Sequence, residues 1–74
     1  MMDLTLRTSC LIERAHACAV GFEAIGLTFS ADLTRGFARD MEAGTPSTLY
    51  EHWIGEQEQR LATKRTELAL GVAA

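Results

Sequence analysis

The amino-acid sequence predicts an all-α fold, either a helical hairpin or a three-helix chain of long, short and long helices, assembling as a dimeric helical bundle. Three observations carry this expectation. No segment alternates polar and apolar residues with period two, and the β-branched residues are scattered, which argues against strands. Apolar residues recur instead at three- and four-residue spacing along most of the chain. The strongest turn signal, Gly44-Thr45-Pro46, falls between such stretches rather than inside one.

The first helix is expected over residues 4–29. Leu4, Leu11, Cys18 and Ile25 repeat every seven residues, while Thr8, Ala15, Phe22 and Phe29 fill the alternate seam. Asp3 is placed to cap it, because a short carboxylate accepts a bond from an orphan backbone N–H and complements the helix dipole. A second start follows at Ser30, which can cap a helix over 31–43 whose apolar stripe is Leu33, Phe37 and Met41. Thr28-Phe29-Ser30 is then a kink or a break. Gly44 suits the left-handed position beyond a helix end. Pro46, capped by Thr45, suits the first position of a last helix over 46–70. In that helix Leu49, Tyr50, Trp53, Ile54, Leu61 and Leu68 are expected toward the core, 55–60 mostly toward solvent, and 71–74 to fray. The two long helices, about 40 and 37 Å at 1.5 Å per residue, suit an antiparallel hairpin.

Residues 15–29 are apolar nearly all the way round, with only His16, Glu23 and Thr28 polar. A helix of that kind needs neighbours on more than one side, which points to a homodimer formed through Leu11, Ala15, Cys18, Phe22, Ile25 and Phe29. Gly21 and Gly26 mark either the close approach of a second backbone or a bend.

Size and charge narrow the function. At 74 residues the chain buries roughly 60% of its unfolded surface, leaving little for a closed catalytic pocket and its supporting residues. The formal charge of -3 is spread evenly, so the broad basic field of a nucleic-acid binder is absent. Cys10 and Cys18, about 12 Å apart on one helix, cannot pair within the chain and suit a reducing cytoplasm. The start has no basic segment of a signal peptide, and the most apolar stretch carries Glu23, so neither secretion nor a membrane span is expected.

The remaining polar groups do not assemble a reaction centre on paper. His16 and Glu23 share one side of the first helix and read as a solvated strip. His52 and Glu56 supply two ligands at i and i+4, short of a metal site. His16 projects about 160° from Cys18 and roughly 120° from Cys10, which denies either thiol a base. Glu56 and Arg60 have the favourable i to i+4 polarity, and Arg60, Lys64 and Arg65 form a small basic helix end. Arg35 and Arg39 are like charges four apart that Asp32 and Glu42 can relieve, or that suit an acidic groove on a partner.

Residues 43–53, Ala-Gly-Thr-Pro-Ser-Thr-Leu-Tyr-Glu-His-Trp, resemble the turn and recognition helix of TetR-type repressors. The resemblance implies a helix-turn-helix in which Thr48, Tyr50 and His52 contact phosphates or bases in the major groove.

Together these readings predict a small cytoplasmic regulator, without cofactor, metal or catalytic activity, that binds another protein and masks it stoichiometrically with a helix face. An adaptor, a chaperone, or an inhibitor of the kind phages and mobile elements encode all fit. Arg35, Phe37, Arg39, Met41, Tyr50 and Trp53, clustered around the turn, are the expected contacts. The alternatives are a small helix-turn-helix DNA-binding transcriptional regulator and a structural subunit of a larger assembly.

Overall fold

The computed structural model describes residues 2–71, with side chains from Leu6 onward. Three helices, α1 (Met2–Ala24), α2 (Thr28–Glu42) and α3 (Glu51–Leu70), succeed one another, with a single 3-10 turn at Ser47–Leu49 and no strand among the described residues. They lie side by side, up, down and up, in a rod of 46 × 18 × 15 Å. The all-α class and the long, short, long order are those expected.

The first helix stops at Ala24, not at residue 29. Gly26, at φ +82°, takes the left-handed position; Leu27 N–H donates to Phe22 O at 2.9 Å and Gly26 N–H to Glu23 O at 3.0 Å. This pair of bonds satisfies the last carbonyls of α1, and a residue with a Cβ resists that backbone. Gly26 is therefore the bend. Because the break comes early, Ser30 lies inside α2 rather than at its cap: it is buried, and its carbonyl accepts the Thr34 hydroxyl at 2.7 Å. The position before α2 is held by Leu27, with no side-chain cap. Asp3 likewise falls one residue inside α1. The Leu4 side chain lies outside the described residues, as do residues 72–74, which were expected to fray.

The second reversal is where it was expected, around Gly44 at φ +110°, with Thr45 N–H donating to Asp40 O at 3.0 Å. The entry to the last helix differs from expectation. Pro46 is extended, at ψ 129°, and precedes the 3-10 turn, so the last helix proper begins five residues later, at Glu51, and Thr45 caps nothing. Ser47 explains the detour: it is buried, its hydroxyl receives a bond from Thr8 at 3.0 Å, and its carbonyl receives one from Tyr50 N–H at 3.0 Å. The turn is thus fastened to α1 before α3 starts.

α1 and α3 run the same way instead of forming an antiparallel hairpin. Thr8 meets Ser47, Arg14 meets Glu58, and a Cβ built on Gly21 would lie 2.5 Å from Leu61 Cδ2 and 2.7 Å from Arg65 Nη2. The reason is the length of α2, which at fifteen residues spans about 22 Å and carries the chain back down α1 before α3 rises. Gly21 therefore allows a close approach, but by α3 of the same chain.

The core forms around α1, which has α2 on one side and α3 on another. One cluster joins Leu11, Ala15, Ala38, Met41 and Ile54; the second joins Cys18, Ala19, Phe22, Ala31 and Leu61. Ala15, Ala19, Ala31 and Ala38 are completely buried, and such short side chains let the helix axes come close. On α2 the inward face is Ala31, Thr34, Ala38 and Met41 rather than the larger stripe of Leu33, Phe37 and Met41. Leu33 is 40% exposed, and Phe37 is half-buried. On α3 only Ile54, Gln57 and Leu61 are buried; Trp53 and Leu68, and Leu49 in the 3-10 turn before it, remain exposed.

This packing bears on the six residues expected at a dimer interface. Leu11, Ala15, Cys18 and Phe22 are covered within one chain, Ile25 is half-buried beside them, and Phe29 alone stands out, at 79% exposed. The chain supplies from its own α2 and α3 the neighbours that α1 required on those sides. Of the six, Phe29 is the one left open to a second copy.

Candidate functional site

The residues with reactive chemistry are held apart or tied into surface pairs. His16 Nε2 lies 3.4 Å from Glu42, Glu23 bonds Arg35 at 2.9 Å, and His52 lies 3.4 Å from Glu56, all at exposed positions but for the half-buried Arg35. His16 and Glu23 thus each look across to α2 and not toward each other. Among the described residues no three His, Cys, Asp or Glu side chains converge to hold a metal ion. Cys10 is exposed, whereas Cys18 lies in a cleft between α1 and α3 lined by Arg14, Ala17, Glu58, Leu61 and Arg65. Burial pushes the Cys18 thiol above its ordinary value, with Glu58 adding to the effect, so the nucleophilic thiolate is disfavoured.

Arg14 and Glu58 close that cleft with two parallel bonds, Nη2 to Oε1 at 2.7 Å and Nε to Oε2 at 2.9 Å. Hydrogen bonding to Arg14 holds the Glu58 carboxyl below the usual range, and the same bond raises the Arg14 guanidinium. A depressed acid adds stability above its unfolded pKa and loses it as pH falls through the folded one. Because 38% of the Glu58 side chain is exposed, the contribution is limited to about 1 kcal/mol or less. Arg14→Met is expected to flatten the acid limb of the stability profile between about pH 5 and 3. Urea melts at a series of pH values check this, and an unchanged limb would show that the pair contributes nothing.

What the structure does leave available is apolar surface, on two faces. The first lies along the α2–α3 side. The Phe37 and Tyr50 rings pack at 5.1 Å between centroids, and the Tyr50 hydroxyl donates to Asp40 Oδ2 at 2.7 Å, an interaction that raises the phenol's pKa. Phe29 and Leu33 continue the Phe37 edge of α2 at four-residue steps. Trp53, 55% exposed, continues the Tyr50 edge of α3. Arg60 lies along the same side, its guanidinium 6.0 Å above the buried Phe22 ring, so the expected pairing with Glu56 is replaced by a cation–π contact.

The second face is the outer side of α1. Leu6 and Val20 are each 63% exposed, and Cys10, Glu13, Ala17 and Ala24 are exposed with them. These six positions alternate four- and three-residue steps, the spacing of a helix seam, on the side turned away from Leu11, Ala15 and Phe22. Ala17, Val20 and Ala24 are the part of the over-apolar stretch on this side that stays exposed. No helix among the described residues is long and apolar enough to cross a membrane.

The six expected contacts are divided by the fold. Met41 is buried at 3% exposure and is a core residue, because it faces Leu11 and Ile54 across the bundle. Arg35 is held by Glu23 and Asp32, and Phe37 and Tyr50 hold each other. Arg39 and Trp53 remain exposed. Of the three positions implied by the repressor resemblance, Thr48 and His52 are exposed, while Tyr50 is fastened to Asp40 and Phe37. Sequence reasoning missed Ser47, Asp40, Arg14, Glu58 and Gln57, whose partners or surroundings come from distant parts of the chain. Comparison with family models, curated proteins and solved structures finds no match for this chain.

Proposed function

We propose that this chain is a small protein-binding regulator, cytoplasmic and without catalytic activity, that masks a partner protein stoichiometrically by taking one of its helices against the outer face of α1. The observation that carries the reading is the uncovered seam of Leu6, Cys10, Glu13, Ala17, Val20 and Ala24. Ala17 and Ala24 are short enough to let a partner backbone approach, and Leu6 and Val20 supply the apolar anchors of a helix-on-helix contact. Such a contact needs no reaction and no cofactor, in keeping with the dispersed polar groups. An adaptor, a chaperone or an inhibitor would each work in this way.

The test is site-specific photo-crosslinking in the native host. A crosslinker at Val20 is expected to capture one protein in a defined ratio, whereas one at Gln59, on the exposed side of α3, captures none. Val20→Glu should abolish the capture without changing the helical circular dichroism. Absence of any adduct at Val20 would overturn the reading. So would a duplex-DNA gel shift at physiological salt that His52→Ala removes, which would favour the repressor-like alternative instead.

A further inference from the structure

We propose that a second copy of this chain covers the α2–α3 side in two-fold, antiparallel register, joining α2 and α3 of each copy in a four-helix layer. This is independent of the partner face on α1. Charge and apolar surface are ordered along that side. Tyr50 bonds Asp40, so the two mark one level at the lower end. From Tyr50, at 1.5 Å per residue, Arg60 and Lys64 stand about 15 and 21 Å up α3. Leu33, seven residues along α2 from Asp40, stands about 10 Å up, close to halfway. The strip therefore starts at a carboxylate, passes Trp53 and Leu33, and ends where Arg60, Phe29 and Lys64 stand at about 15, 16 and 21 Å.

A two-fold axis near Leu33 reverses that order in the second copy and sets each carboxylate against the other copy's cations. Asp40 has no cation and Arg60 no carboxylate in any ion pair of the described residues, and Lys64 holds Glu67 only at 3.5 Å. The same reversal brings Phe29, the most exposed large apolar side chain at 79%, to the level of the other copy's exposed Trp53. Each Phe29–Trp53 pair then lies about 6 Å from the axis, with Asp40 and Lys64 beyond it at the two ends of the strip, an apolar patch with a charged rim. A heterologous apolar partner would gain nothing from this end-to-end charge reversal, whereas a second copy matches both ends at once.

Sedimentation equilibrium on the full chain tests the proposal. The expected result is twice the 8.1 kDa chain mass at micromolar concentration, with dissociation favoured by salt. Phe29→Asp, at a position too exposed to affect folding, should raise the dimer dissociation constant about thirtyfold or more. Asp40→Lys and the pair Arg60→Glu with Lys64→Glu should each raise it about tenfold or more, and combining all three should restore it to within a few-fold. A monomer at all concentrations overturns the proposal. So does a dimer that survives Phe29→Asp, or one that is lost with Val20→Glu, which would put the second copy on α1. A charge combination that fails to rescue also overturns the register, provided the helical signal of the variant is intact.

Discussion

Phe22→Ala is expected to lower the free energy of unfolding by about 3–5 kcal/mol, the range for removing a large aromatic from a packed interior. Phe22 is completely buried and is the largest side chain of the upper cluster, between α1, α2 and α3, with Arg60 above its ring. Ala19 and Ala31, which share its cluster, are too short to fill the void it would leave. A chain of this size has about 4–11 kcal/mol of total stability, so the variant stands at the edge of unfolding. Urea denaturation followed by circular dichroism measures the loss. A loss below about 1 kcal/mol would mean that the three helices do not share this cluster.

Gln57→Met is expected to raise stability by about 1–2 kcal/mol, and Gln57→Glu to lower it by about 2 kcal/mol or more at neutral pH. Gln57 is 9% exposed, and its side-chain carbonyl oxygen accepts no hydrogen bond. Methionine has nearly the same length and shape without the orphaned acceptor. Glutamate places a charge in the same surroundings, and burial raises its pKa. The glutamate variant therefore recovers as pH falls toward about 4.3, where the unfolded state also carries the proton. Thermal melts of the three proteins at two pH values check both directions. A methionine variant less stable than the parent would show that the amide is satisfied by solvent in the folded chain.

The polar residue at position 57 shows where reading along the chain stops. It sits in a run of Gly, Glu, Gln and Arg that has every mark of a solvated helix surface. Only the placement of α3 against α1 and α2 turns one of the run inward. The aromatic turn behaves in the opposite way. Phe37, Tyr50 and Trp53 were legible as a cluster because the Gly44 reversal brings them together locally, and the ring contact at 5.1 Å agrees. Their division into a mutually packed pair and an exposed Trp53 depends on Asp40, ten residues before Tyr50, accepting the hydroxyl.

The sequence by itself determined that the chain is all helical, that it reverses at Gly44, and that the first helix is too apolar to stand alone. Those properties come from side-chain periodicity and from the backbone freedom of single residues, which act within a few positions. Tertiary structure decided where the first helix ends, that α1 and α3 run parallel, and which apolar residues stay outside. The physical reason is that these depend on pairing across distance. Gly26 becomes a helix end only when Leu27 can pack back on the bundle. The fit of Leu61 and Arg65 over Gly21, and of Arg14 to Glu58, then selects one face of α3 for the interior.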